Sequence, residues 1–216
     1  MFSLICSLVF LIVFCLPLFQ LIYWQLSESS INLLSNVNLL INSSILGFAV
    51  GIFTIFFATA LSLSYRQSNK LKSLISISTS GYAIPGSVIS AGLLIGFDAI
   101  FGTSITIYGI FGLILCLSLR FMTPAYNYSS SSLANISKSS ENALSLIPSN
   151  PLKAFSSFYY PQMKSALFLG FMIVFIESVK EQAATLLLRP VGFDTLSTKI
   201  YNFTSEGEWE MAASPS

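Results

Sequence analysis

The chain has 216 residues, 54% of them hydrophobic and only 9% charged, with a formal net charge of +1 and no histidine. A mean hydropathy of +0.76 excludes a water-soluble domain. The lack of imidazole sets metalloenzyme and His-dependent hydrolase chemistry far behind, because His is the commonest metal ligand and a frequent acid–base group. No nucleic-acid partner is expected.

A membrane helix needs about 20 mostly apolar residues, and five stretches qualify: Phe2–Trp24, Ile45–Tyr65, Leu74–Phe97, Phe101–Leu119 and Ser165–Leu188. Strands of alternating polarity are absent, so the expected fold class is all-α, a polytopic transmembrane helical bundle. The first stretch lacks a basic start and a small-residue cleavage site and is long for a signal core, so it reads as a span. Residues 1–75 hold the first two spans and the first loop, and residues 76–216 hold the core. Cys6, Cys15 and Cys116 fall within apolar spans at spacings that suit neither a metal nor a disulfide framework, and read as small hydrophobes.

Arg66, Lys70 and Lys72 lie between the second and third spans, and Arg120, Lys138, Lys153 and Lys164 between or at the ends of the fourth and fifth. The connections 27–44 and 98–100 carry neither Lys nor Arg. Basic residues gather on the cytoplasmic side, which predicts a cytoplasmic N-terminus and an outward exit of the fifth span. Lys199 is then an exception.

Gly47 and Gly51 form a small-xxx-small pair suited to helix packing. Gly81-Tyr82-Ala-Ile-Pro85-Gly86 interrupts the third span. It predicts either a simple kink or a broken helix lining a substrate path. The long connection 121–164 is Ser-rich at 126–134 and reads there as linker. Ser139 ahead of Glu141, Asn142 and Ala143 predicts a helix start. Pro148 and Pro151 break that helix, Leu152–Tyr160 restarts one, and Pro161 ends it. Leu152, Phe155, Phe158 and Tyr159 recur on one helical face, which fits either the chain's own helix ends or a groove on a partner.

The fifth span carries Glu177, Lys180 and Glu181 at i, i+3 and i+4, on one side of a helix. At bilayer centre these three cost ~8–10 kcal/mol, against a return of about 4–7 kcal/mol from the apolar residues around them. The segment therefore needs polar partners. Either an internal ion pair fixes the packing or charges snorkel outward; alternatively the triad faces a water-filled path or braces moving helices. Carboxylates suit a ferric ion, but Lys180 between Glu177 and Glu181 argues against a cation site.

Gly81-Tyr-Ala-Ile-Pro85-Gly86-Ser-Val, Leu119-Arg120-Phe121, and the run from Glu177-Ser-Val-Lys180-Glu181 through Thr185-Leu-Leu-Leu-Arg189-Pro190-Val-Gly192-Phe193-Asp194-Thr195-Leu196 to Tyr201 resemble segments of iron(III) ABC-transporter permeases, in their C-terminal half. The likeness covers most of the chain from Gly81 onward. It implies a non-enzymatic subunit of the bacterial inner membrane, with ATP and Mg on a cytoplasmic ATPase dimer and no cofactor or metal held by this chain. It implies a periplasmic Fe(III)-binding protein as donor, a second permease half or homologous subunit as partner, and the lipid membrane around them. The implied ATPase-coupling residues are Glu141, Asn142, Ala143, Pro151, Leu152, Phe155 and Pro161. The family's coupling segment has Glu-Ala-Ala and then Gly; here Asn142 stands at the Glu, Leu144 at the second Ala and Pro148 at the Gly. The implied gating residues are Tyr82, Pro85, Gly86, Glu177, Lys180, Glu181, Arg189 and Asp194, the last two exposed on the outer surface. The expected architecture is five spans plus a cytoplasmic coupling helix at 139–161, with a last span missing, as in one incomplete half of a pump. Rival readings are a permease for thiamine or another cation, a proton-coupled secondary transporter using the triad as a relay, and an intramembrane enzyme, which lacks a nucleophile–base pair.

Overall fold

A computed structural model describes residues 2–27, 33–67, 72–102, 109–145 and 150–216. Among these, every regular element is helical. Three helices are long and apolar enough to cross a membrane, or up to five if each of two bent pairs is one span. The chain is thus an all-helical protein built for a membrane.

The chain divides into two compact units, residues 1–44 with 192–216, and residues 45–191, a division that cuts across the expected 1–75 and 76–216. In the first unit, α1 runs Phe2–Phe10, passes through a π-turn at Leu11–Cys15 and continues as Leu16–Ser27. It is apolar all round and its spanning window buries nothing inside the chain, the pattern of a helix whose solvent is lipid. Helix α2, Leu33–Gln67, begins in this unit and continues into the second. The expected connection 27–44 is therefore helix from Leu33 onward, because its polar Asn and Ser residues have protein partners. Asn42 Nδ2 donates to the Asp194 carbonyl at 2.9 Å, Ser43 Oγ accepts from the Leu196 amide at 2.9 Å, and Asn36 bonds Ser214. Beyond residue 192 come two further short helices, Leu196–Glu206 and Trp209–Ala212. Thr195 and Thr198 form a reciprocal capping box at the start of the first.

The second unit carries α3 (Lys72–Thr79, then a 3-10 turn Ser80–Ala83), α4 (Gly86–Phe101), α5 (Gly109–Arg120), α6 (Met122–Ala134), α7 (Lys138–Ser145), α8 (Pro151–Ala154, a π-turn Phe155–Tyr159, then Tyr160–Lys180) and α9 (Ala183–Leu188). Helix α8 lies along α6, and α9 packs on α4 and α5. Leu133, Ile136, Met163 and Leu167 form a buried cluster, backed by Ile55, Leu63, Phe158 and Tyr159. Buried hydroxyls return to the backbone of their own helices: Thr54 to Val50 O at 2.6 Å, Ser90 to Gly86 O at 2.8 Å, Ser178 to Val174 O at 2.7 Å. That is the arrangement required where water cannot serve them.

Several expectations are corrected. The Ser-rich stretch 126–134 is helix, not linker. Met122, Ala125, Ser129 and Leu133 are its buried residues, at helical spacing, and Ser129 meets Thr59 at 3.3 Å. Pro161 does not end a helix, since α8 runs through it. The π-turn before it absorbs the missing donor, and Gln162 Nε2 serves the Phe158 carbonyl at 2.9 Å. The expected third span is broken, with α3 and α4 bent by 117°, and α5 and α6 meet at 53°. Of the expected fourth span, Phe101 ends α4 and Gly109 begins α5. The expected fifth span stops at Lys180 and resumes at Ala183. The helix expected from Ser139 starts at Lys138, with Ser137 Oγ accepting the Ser140 amide at 3.3 Å. Pro151 opens α8 as expected, with the Asn150 side chain accepting from the Leu152 amide. Lys70, Leu146, Ile147 and Pro148 lie outside the described residues.

Candidate functional site

Three interruptions of apolar helix meet at one ion pair. Pro85 forces the first: the residue before it, Ile84, is extended at φ −92° and ψ 132°, as Pro demands of its predecessor, and this leaves the Ile84 carbonyl outside the helix. The second is the bend between α5 and α6 at Phe121. The third is Glu181, extended at φ −73° and ψ 115°, between α8 and α9.

Arg120, the last residue of α5, joins them. Its Nη1 donates to Ile84 O at 3.0 Å and its Nε lies 3.3 Å from Glu181 Oε2. The two side chains are 22% and 11% exposed. The other carboxylate oxygen, Oε1, accepts from the Ala184 amide at 3.4 Å, and the Glu181 carbonyl takes the Thr185 hydroxyl at 2.8 Å. Glu181 is therefore both ion-pair partner and cap for α9. At Gly86 a Cβ would meet Glu181 Oε1 and Arg120 Nη1, so any larger residue would push these two side-chain ends apart. Gly81 is the more tightly constrained, because the Leu119 backbone occupies the place of its Cβ and cannot swing aside. Tyr82, half exposed, meets the buried ring of Phe121 edge-on at 6.5 Å.

The structure thus gathers Pro85, Gly86 and Glu181 and separates them from the rest of the expected triad. Glu177 and Lys180 pair at 3.1 Å across one helical turn, 34% and 62% exposed. The one-sided triad is corrected because α8 ends at Lys180 and the next residue turns away. Among the described residues no three His, Cys, Asp or Glu side chains gather as a metal would require. Lys180→Met is accordingly expected to cost no more than about 1 kcal/mol, as for exposed pairs, read by thermal unfolding of the detergent-solubilised chain. A loss as large as that from a buried pair would refute the assignment. Arg189 and Asp194, expected to be exposed, are both half-buried.

A second polar node lies where α2, α6, α7 and α8 meet. Arg66 Nε bonds Glu141 at 2.9 Å, Nη1 donates to Leu133 O at 2.6 Å, and Nη2 to Ile136 O. The Tyr159 phenol lies beside Glu141 and feels its charge. Glu141 therefore faces the chain's own interior. Beside it Asn142 and Ala143 are exposed, as are Pro151, Leu152 and Pro161. The aromatic face of α8 is split: Phe158 and Tyr159 pack inward, while Leu152 and Phe155 line an apolar groove with Phe56 and Phe171.

The chain matches no protein-family model and no curated protein.

Arg120 is the residue that reading the sequence for function missed. It stood among the basic residues that mark sidedness and within the Leu119-Arg120-Phe121 likeness, with no role of its own. Its signal was a lone guanidinium between two segments that are both helical, where no loop separates them.

Proposed function

We propose that this chain is a transmembrane permease subunit of an ATP-driven ABC importer, with Fe(III) delivered by a binding protein as its cargo. The observation that carries the reading is the convergence of three helix breaks on Arg120 and Glu181. Irregular backbone within apolar segments is tolerated where protein covers it or a polar path runs beside it, and discontinuous helices mark the substrate routes of transporters. The residues that resemble iron permeases, Gly81–Val88, Leu119–Phe121 and Glu177–Tyr201, include all three breaks. In this reading Arg120 and Glu181 brace the gate, with Tyr82, Pro85 and Gly86 on the opposing segment and Glu177, Lys180 and Arg189 further along the same stretch of chain. The exposed Asn142, Ala143, Pro151 and Leu152 would meet the ATPase, with Glu141 holding that segment through Arg66. The membrane would be the bacterial inner membrane, with the N-terminus cytoplasmic and a second permease half completing the path.

The test is radioactive ferric uptake into inverted and right-side-out vesicles carrying the full complex. Uptake is expected to require nucleotide and to survive an uncoupler. Uptake that collapses with the uncoupler and proceeds without nucleotide would overturn the reading in favour of a proton-coupled carrier.

A further inference from the structure

A cavity of about 520 Å³ opens beside the Arg66 node, lined by Tyr65, Arg66, Tyr126, Ser130, Ser131 and Lys138 among others. Among the described residues its lining contains two cations and several hydroxyls, and no carboxylate. A guanidinium has five N–H donors. Arg66 commits one to Glu141, one to Leu133 O and one to Ile136 O, which leaves two. Those same bonds engage the Leu133 and Ile136 carbonyls, two of the oxygens near the end of α6 that would repel an anion. Glu141 neutralises Arg66 from outside the lining, and Lys138, exposed at the first position of α7, leaves the cavity a net positive charge. Amide N–H groups at that helix start add the same sign.

The place matters as much as the charge. Arg66 closes a 31-residue apolar span, Asn36–Arg66, so the cavity lies at a span end, the level at which an apolar helix meets headgroups and water. Two phenols at that level suit a membrane–water interface, and basic pockets between helices there suit phosphate headgroups.

We propose that this cavity binds a phosphate-bearing anion, held by Lys138, the remaining donors of Arg66 and the phenols of Tyr65 and Tyr126. In a membrane that anion is the headgroup phosphate of an anionic phospholipid. The site does not depend on the identity of the cargo.

The experiment follows thermal unfolding of the full chain in detergent, titrated separately with phosphatidylglycerol, phosphatidylcholine and inorganic phosphate. Phosphatidylglycerol is expected to raise the midpoint by several degrees beyond phosphatidylcholine. The paired change Lys138→Gln and Tyr126→Phe, which leaves the Arg66 bonds intact, is expected to weaken its half-saturation by about a hundredfold, the scale of two lost charge-assisted hydrogen bonds. Lys164→Gln, a change outside the lining, should leave the titration unaltered. An equal shift with inorganic phosphate, lost in the same paired variant, supports the site and assigns it to the free anion. The proposal fails if phosphatidylglycerol and phosphatidylcholine act alike with phosphate silent, or if the paired variant titrates as the parent does.

Discussion

Glu181→Gln is expected to destabilise the chain by about 3–5 kcal/mol, because it strands the Arg120 guanidinium in a mostly buried site. The amide keeps the shape and can still cap α9, so the loss reports charge and not volume. Arg120→Met alone should cost a similar amount, since it takes the counter-charge from the Glu181 carboxylate and the Nη1 donor from the Ile84 carbonyl. The double change Arg120→Met, Glu181→Leu should cost far less than the sum. Replacing a buried pair by apolar groups is often neutral, and the non-additivity measures the coupling directly. Thermal and denaturant unfolding in detergent read all three. Additive losses would mean that Arg120 and Glu181 do not act as a pair. In the permease reading the double variant also separates stability from transport: a folded chain that no longer moves cargo would place the pair in the gate.

The membrane class was legible in the sequence because it rests on composition and on runs of apolar residues, which the lipid solvent dictates directly. The break at Ile84–Pro85 was legible as one of two options for the same reason, since Pro and Gly act locally. What eluded the sequence was governed by partners far along the chain. Residues 126–134 look like linker by their serines, yet Ser129 is a buried face residue that meets Thr59. Their helix owes more to packing on α8 than to propensity, which tertiary contact overrides. The termination of α8 at Lys180 was hidden because Glu181 continues an i, i+4 pattern with Glu177. The pattern is a property of a helix that has already stopped. Pairing Glu181 with Lys180 was the local choice, and Arg120, some sixty positions away, is the partner. Likewise Glu141 looked available for a motor protein from its place in a polar segment, whereas Arg66 bonds it and Tyr159 lies beside it.

Arg66 supplies the second large effect. One side chain bonds a carboxylate on α7, the Leu133 carbonyl in the last turn of α6 and the Ile136 carbonyl just beyond it, so it fastens α2, α6 and α7 together. Arg66→Met is expected to cost about 3–5 kcal/mol, the scale for breaking a mostly buried charged pair; the Leu133 carbonyl keeps the Ile136 amide at 3.1 Å, so the Ile136 carbonyl is the one that loses its donor. Arg66→Lys separates charge from geometry. An ammonium keeps the attraction to Glu141 but lacks the planar fork that reaches Leu133 O and Ile136 O together, so an intermediate loss is expected. Glu141→Gln should be milder still, because the carbonyl bonds survive. Limited proteolysis gives an independent readout: with Arg66→Met, cleavage should rise first between residues 134 and 151, where α7 loses its tether, before the α6–α8 core opens. If Arg66→Lys matches the parent in both stability and cleavage, the fork is dispensable and charge alone holds the segment. If cleavage instead begins near Arg120, the two nodes are one cooperative unit, and the segment that would face the motor is tied to the breaks that would form the gate.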